Sequence, residues 1–185
     1  MDTKESIYHA AAEIIAEDGV TNITLEKVAG RAGISKGGLL YHFPNKDALI
    51  KGLVEYNEEV FEDQMEGQLQ KEMDLSEDKK IKGLLKAYID VTFNEESLLQ
   101  ESSKGLLAAA LLNPDYLEPI KERTKRLEGK IKENASDYIS ASIIRLAVDG
   151  FWLSELLGIN FMEEKEKEKI KEVLARWSEE LDKEG

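Results

Sequence analysis

The 185-residue chain has no cysteine, three prolines, two histidines and no long uncharged apolar run. Each scarcity removes a class of protein. Without cysteine there is neither a disulfide framework nor a thiolate metal site. His9 and His42 are the only histidines, the carboxylates follow the charged faces of predicted helices, and no glycine-rich phosphate loop follows a strand. An enzyme is therefore not expected, and neither a cofactor nor a metal is implied. Met1 leads directly into an amphipathic helix bearing acidic residues, so no signal peptide and no membrane span are expected, and the expected location is the cytoplasm. Pro44, Pro114 and Pro119 all suit helix boundaries, and few stretches alternate as strands do. The predicted fold class is all-α.

What is present is most informative between Thr24 and Lys51. Thr24 can cap a helix whose apolar positions Leu25, Val28, Ala29 and Ala32 recur at helical spacing, and Gly33 supplies the following turn. Ser35 can cap a second short helix. Leu39 and Phe43, four residues apart, would bury one face of it, leaving Ser35, Lys36, Gly37, Gly38, Leu40, Tyr41 and His42 at its N-terminus or on its other faces. Two short helices across a tight turn make a helix-turn-helix, whose second helix reads the DNA major groove. Pro44 ends that helix and Asn45 can cap the next. Lys46 then puts a cation at a helix N-terminus, against the macrodipole. Taken alone, a solvated side chain offset by Asp47 and a phosphate contact explain it equally; its neighbours favour phosphate.

The run SKGGLLYHFPNKDAL resembles the helix-turn-helix of the TetR family of bacterial transcriptional regulators. The resemblance covers residues 3 to 52 and rests on Thr24, Val28, Ala29, Ala32, Gly33, Ser35, Lys36, Gly37, Leu39, Tyr41, His42, Phe43 and Lys46 in order. It implies that Thr24, Tyr41, His42 and Lys46 touch backbone phosphates and that residues from Ser35 to Tyr41 meet base edges. Gly38, commonly a small polar or methyl-bearing residue in the family, and Leu40, commonly aromatic, depart from the pattern. Leu40 still suits a thymine methyl, and Gly38 permits close backbone approach.

The net charge of −13 is unevenly spread. Residues 24 to 51 carry five basic and two acidic residues, a balance of +3, against −16 for the remainder. A DNA-facing tip on an acidic body is expected, with binding that is salt-sensitive and needs both halves of a dimer.

The rest of the chain divides into further helices. The first spans residues 3 to 18, with Asp2 or Thr3 as cap, Ile7, Ala11, Ile14 and Ile15 inward, and Gly19 as its end. Another runs from Lys46 to about Glu72, the next from Ser76 to about Asn94, and an apolar one from Ser97 to Leu112. A charged helix follows over Asp115 to Asn134. Ser136 is the expected cap of a helix reaching Gly158 that is apolar nearly all round, and Glu163 to Asp182 forms the last, with Ile170, Val173, Leu174, Trp177 and Leu181 on one face. A helix apolar on all sides must be buried on more than one, which points to a second copy of the chain. The resemblance likewise implies a homodimer through the last two helices.

The expected organisation is a DNA-binding domain over residues 1–46 and a ligand-binding and dimerisation domain over 47–185. Within the latter, Phe61, Met65, Tyr88, Phe93, Leu106, Leu107, Phe151 and Trp152 are candidates to line a site for a small hydrophobic effector, with Arg145 and Asp149 as polar handles. Core packing, and for Arg145 and Asp149 an internal or intersubunit ion pair, explain the same residues. The expected function is a ligand-responsive regulator, a repressor that binds a palindromic DNA operator as a homodimer and is released by its effector. The rival is a helical protein-interaction module that no longer binds DNA.

Overall fold

The computed structural model describes residues 2–75, 80–93, 106–107, 109–110 and 113–181, and among these every regular element is helical. The all-α expectation holds. Helix α1 spans Thr3–Asp18, α2 Leu25–Arg31, α3 Lys36–His42, α4 Lys46–Leu75, α5 Lys80–Thr92, α6 Glu118–Asn134, α7 Tyr138–Leu156 and α8 Glu164–Glu180. Short 3-10 turns occupy Val20–Asn22 and Pro114–Leu117.

Local chemistry accounts for most of these boundaries. Asp2 caps α1 through a reciprocal capping box with Glu5, at 2.8 Å each way. Thr24 Oγ1 accepts from the Lys27 amide at 3.2 Å, Ser35 Oγ from the Gly38 amide at 3.0 Å and Asn45 Oδ1 from the Ala48 amide at 2.8 Å. Gly33 has φ +69°, the left-handed conformation that lets the chain reverse between α2 and α3. One cap differs from expectation. Asp137, not Ser136, starts α7, because its carboxylate accepts from both the Ile139 and Ser140 amides, while the Ser136 hydroxyl donates to the Leu181 carbonyl. The proposed cap Ser76 lies outside the described residues, as does most of the predicted helix 97–112, of which residues 106–107 and 109–110 are seen and are helical.

The chain forms two compact units, Met1–Glu59 with Glu96–Glu122, and Val60–Glu95 with Arg123–Gly185. In the first, Ile7, Ala11, Ile14 and Ile15 of α1 meet Val28 and Ala29 of α2, Leu39 of α3, Phe43, and Leu49 and Leu53 of α4. Leu106, Ala109, Ala110 and Tyr116 join this same buried cluster. In the second unit, Leu85, Tyr88 and Ile89 of α5 pack with Leu127 and Ile131 of α6, Ile144 and Val148 of α7 and Leu174 of α8.

Candidate nucleic-acid interface

Leu39 and Phe43 anchor α3 in the first unit's core, and their burial turns the rest of this seven-residue helix outward. Ser35, Lys36, Gly37, Gly38, Leu40 and Tyr41 are all exposed, His42 is half-buried and Thr24 is exposed at the start of α2. Tyr41 is 86% exposed, an unusual state for a large aromatic, and its ring meets His42 edge-on at 5.3 Å. Lys46 is half-buried, and its ammonium donates to the Thr21 carbonyl at 3.2 Å, which offsets part of its conflict with the α4 dipole. All nine residues proposed for DNA therefore lie on or beside the two helices of one turn. A Cβ at Gly38 would come within 3.3 Å of Ser35 Oγ, so glycine there keeps the helix cap undisturbed.

The electrostatics differ from the segment count. Lys27 pairs with Asp18 at 2.9 Å, Arg31 with Glu13 at 3.1 Å and Glu17 at 2.8 Å, and Lys36 with Glu26. Glu17 is held below the ordinary carboxylate range by the Arg31 guanidinium, Asp18 by Lys27 and Glu26 by Lys36. Three of the segment's five cations thus already face anions. Over residues 1–51 as a whole, six basic side chains stand against seven acidic ones, a balance of −1. A count over residues 24–51 misses this because Asp18, Glu13 and Glu17 come from α1, up to 18 positions away from their partner, and because Glu26 meets Lys36 across the turn, 10 positions on.

In the second unit, Phe61 meets Tyr88 edge-on at 5.9 Å, and Phe93 stacks on Phe151 at 3.9 Å. The Arg123 guanidinium lies 4.6 Å from the centre of the Phe61 ring. Tyr88 donates to Asp149, Asp149 accepts from Arg145, and Arg145 also pairs with Glu128 at 2.9 Å. Burial, reinforced by the Asp149 carboxylate, pushes the Tyr88 hydroxyl well above the ordinary tyrosine range. Met65 is buried and Trp152 half-buried in this unit, whereas Leu106 lies in the core of the first unit and Leu107 is half-buried beside it in sequence.

Residues 7–53 match the family described as bacterial regulatory proteins, tetR family, and residues 82–179 match the tetracyclin repressor-like C-terminal domain. The chain belongs to the TetR family. As a member it is a DNA-binding transcriptional regulator, in a family that is not one of enzymes. The nucleoid occlusion factor SlmA of Vibrio cholerae serotype O1 is 37% identical over 60 residues, which span 32% of this chain and 31% of that protein. That of Shewanella frigidimarina is 26% identical over 162 residues, 88% of this chain and 78% of that protein. Among solved structures, a member of the TetR family from Streptomyces coelicolor A3 aligns with a TM-score of 0.70 at 21% identity, covering 96% of this chain and 98% of its own. The multidrug binding protein EbrR complexed with malachite green gives 0.70 at 20% identity, with coverage of 96% and 98%. These structures share the fold. No helix among the described residues of this TetR-family chain is long and apolar enough to cross a membrane.

Proposed function

We propose that this TetR-family regulator is a cytoplasmic homodimeric repressor that binds a palindromic operator through α3 and is released by a small hydrophobic effector. The observation that carries the DNA assignment is the exposure of Tyr41, Lys36 and Leu40 on a short helix fixed from behind by Leu39 and Phe43. Thr24, Tyr41, His42 and Lys46 would take phosphates, and Ser35 through Tyr41 would meet base edges.

The dimer reading is supported by α7. Ile139, Ile143, Leu146 and Leu153 are exposed at helical spacing on its outer side, with Leu157 one turn on, while Ala141, Ile144 and Val148 are buried on its inner side. Trp177 of α8 and Phe161 in the α7–α8 connection, the latter 91% exposed, add to the apolar surface. Such a surface is characteristic of an interface rather than a free monomer. Two recognition helices in successive major grooves must sit about 34–36 Å apart, so a dimer interface that sets this separation sets operator fit.

The effector reading is supported by the ring-rich second unit and by multidrug-binding neighbours of the same fold. Arg145 is only 8% exposed, yet its Nε has no partner among the described residues. An apolar effector carrying a hydrogen-bond acceptor would satisfy it. By differential affinity for two head separations, the effector would shift the dimer away from operator-competent geometry.

Purified protein mixed with sheared genomic DNA at moderate salt, with recovery and sequencing of bound fragments, tests the central reading. Enrichment of a short palindrome, lost in a Tyr41→Phe, Lys46→Ala double variant, is the expected result. Equal recovery by both proteins would instead favour the helical interaction module.

A further inference from the structure

The internal pairing of Lys36 points to a determinant of specificity that is not among the nine residues assigned to DNA contact. Lys36 is the first residue of α3, where a cation opposes the helix dipole, and Glu26 lies in the first turn of α2, where a carboxylate is favoured. Glu26 supplies the anion that Lys36 needs at that position, across the turn of the helix-turn-helix. Both side chains are more than half exposed, so the pair opens readily when a better partner is offered. Lys27 and Arg31 are held differently, by Asp18, Glu13 and Glu17 of α1.

We propose that Glu26 is a specificity-determining residue: it withholds the Lys36 ammonium from the backbone of unrelated DNA and yields it only to a duplex that presents a well-placed acceptor. The proposal builds on the reading of this head as an operator-binding module. Its physical basis is the counterion count. Non-specific affinity depends on how many phosphates the protein's cations neutralise, and a lysine that stays on its carboxylate neutralises no phosphate and so displaces no counterion from the DNA. On an operator, Lys36 exchanges one anionic partner for another acceptor in a site where α3 is already seated, and the exchange costs little. On unrelated DNA, with no seated helix, the intramolecular pair wins because its partner is permanently close.

The test uses the full-length protein, a duplex of scrambled sequence and the genomic fragments it selects. Fluorescence anisotropy of Glu26→Gln on the scrambled duplex should show several-fold tighter binding than wild type at low salt. The plot of log affinity against log salt should steepen by about 0.9 for each head engaged, as one added phosphate contact requires. Adding Lys36→Met to Glu26→Gln should remove both the gain and the added slope. Selected fragments should be discriminated from scrambled duplex less well by Glu26→Gln than by wild type.

Unchanged binding of Glu26→Gln to scrambled DNA would overturn the proposal. So would a gain that survives Lys36→Met, since that would be the loss of a repelling charge alone. A loss confined to selected fragments would make Glu26 a base reader and overturn it equally. Should wild type select no fragments while the Lys36-dependent gain on scrambled duplex is present, the operator reading fails and the masking of Lys36 stands.

Discussion

The Tyr116 hydroxyl donates to Asp47 Oδ1 at 2.6 Å, joining residues 69 positions apart at the first turn of α4. Tyr116 is itself buried with Leu106, Ala109 and Ala110 in the cluster that contains Leu39 and Phe43. The helix-turn-helix is therefore packed by residues from far along the chain, and the start of α4, where Lys46 lies, is held by one of them.

Tyr116→Phe should lower stability by about 1 kcal/mol, the usual net worth of a hydrogen bond, whereas Tyr116→Ala should cost about 3–5 kcal/mol by emptying an aromatic site. Urea unfolding followed by circular dichroism measures both. Hydrogen exchange at Ala48 to Leu49 should accelerate in the Phe variant if the contact holds the first turn of α4.

Gly52→Ala should destabilise the protein despite alanine's better helix propensity. A Cβ at Gly52 would lie 2.9 Å from both Phe43 Cε1 and the Tyr8 hydroxyl, and Tyr8 is fixed in turn against Phe43 and Tyr56. Overpacking of about 1–3 kcal/mol then outweighs a propensity gain of about 1 kcal/mol. A melting temperature equal to or above wild type would show that the two rings move aside freely.

Stability should fall at alkaline pH through Tyr88. Burial and Asp149 raise its folded pKa above the unfolded value, so the unfolded chain sheds the proton first and gains on the native state. The contribution is complete below the unfolded tyrosine pKa of about 10 and is lost as pH rises above it. Tyr88→Phe should flatten the decline between neutral and alkaline pH in denaturant midpoints. Tyr116, also raised by burial and then by its bond to Asp47, contributes with the same sign.

Ile143→Glu with Leu146→Glu should convert the dimer to a folded monomer, visible in sedimentation velocity with helical content retained. Both side chains are exposed on α7 in the single chain, so charge there disturbs association and not the subunit core. Loss of bivalent attachment should weaken operator binding by about 100-fold or more. A dimer that survives both substitutions would place the interface elsewhere.

The reading head was legible because its determinants are local. Thr24, Ser35 and Asn45 bond to amides three residues on, Gly33 adopts a left-handed turn on its own account, and Leu39 with Phe43 mark the inner face by spacing alone. The cap of α7 shows the margin of that method, since Ser136 and Asp137 are adjacent candidates. The carboxylate takes two amides, and the hydroxyl goes to a carbonyl 45 residues away.

By itself the sequence determined the helical class, most helix boundaries among the described residues, the helix-turn-helix and the family, since caps, turns and periodic apolar faces act over three or four residues. Only tertiary structure decided that Leu106 and Tyr116 complete the first unit's core, that Asp18, Glu13, Glu17 and Glu26 pair with Lys27, Arg31 and Lys36, and that Tyr88 and Glu128 join the Arg145–Asp149 pair. These contacts join side chains that helical periodicity leaves free to face any neighbour. Which neighbour each meets depends on how the helices pack, and the spacing of residues along one helix carries no record of it.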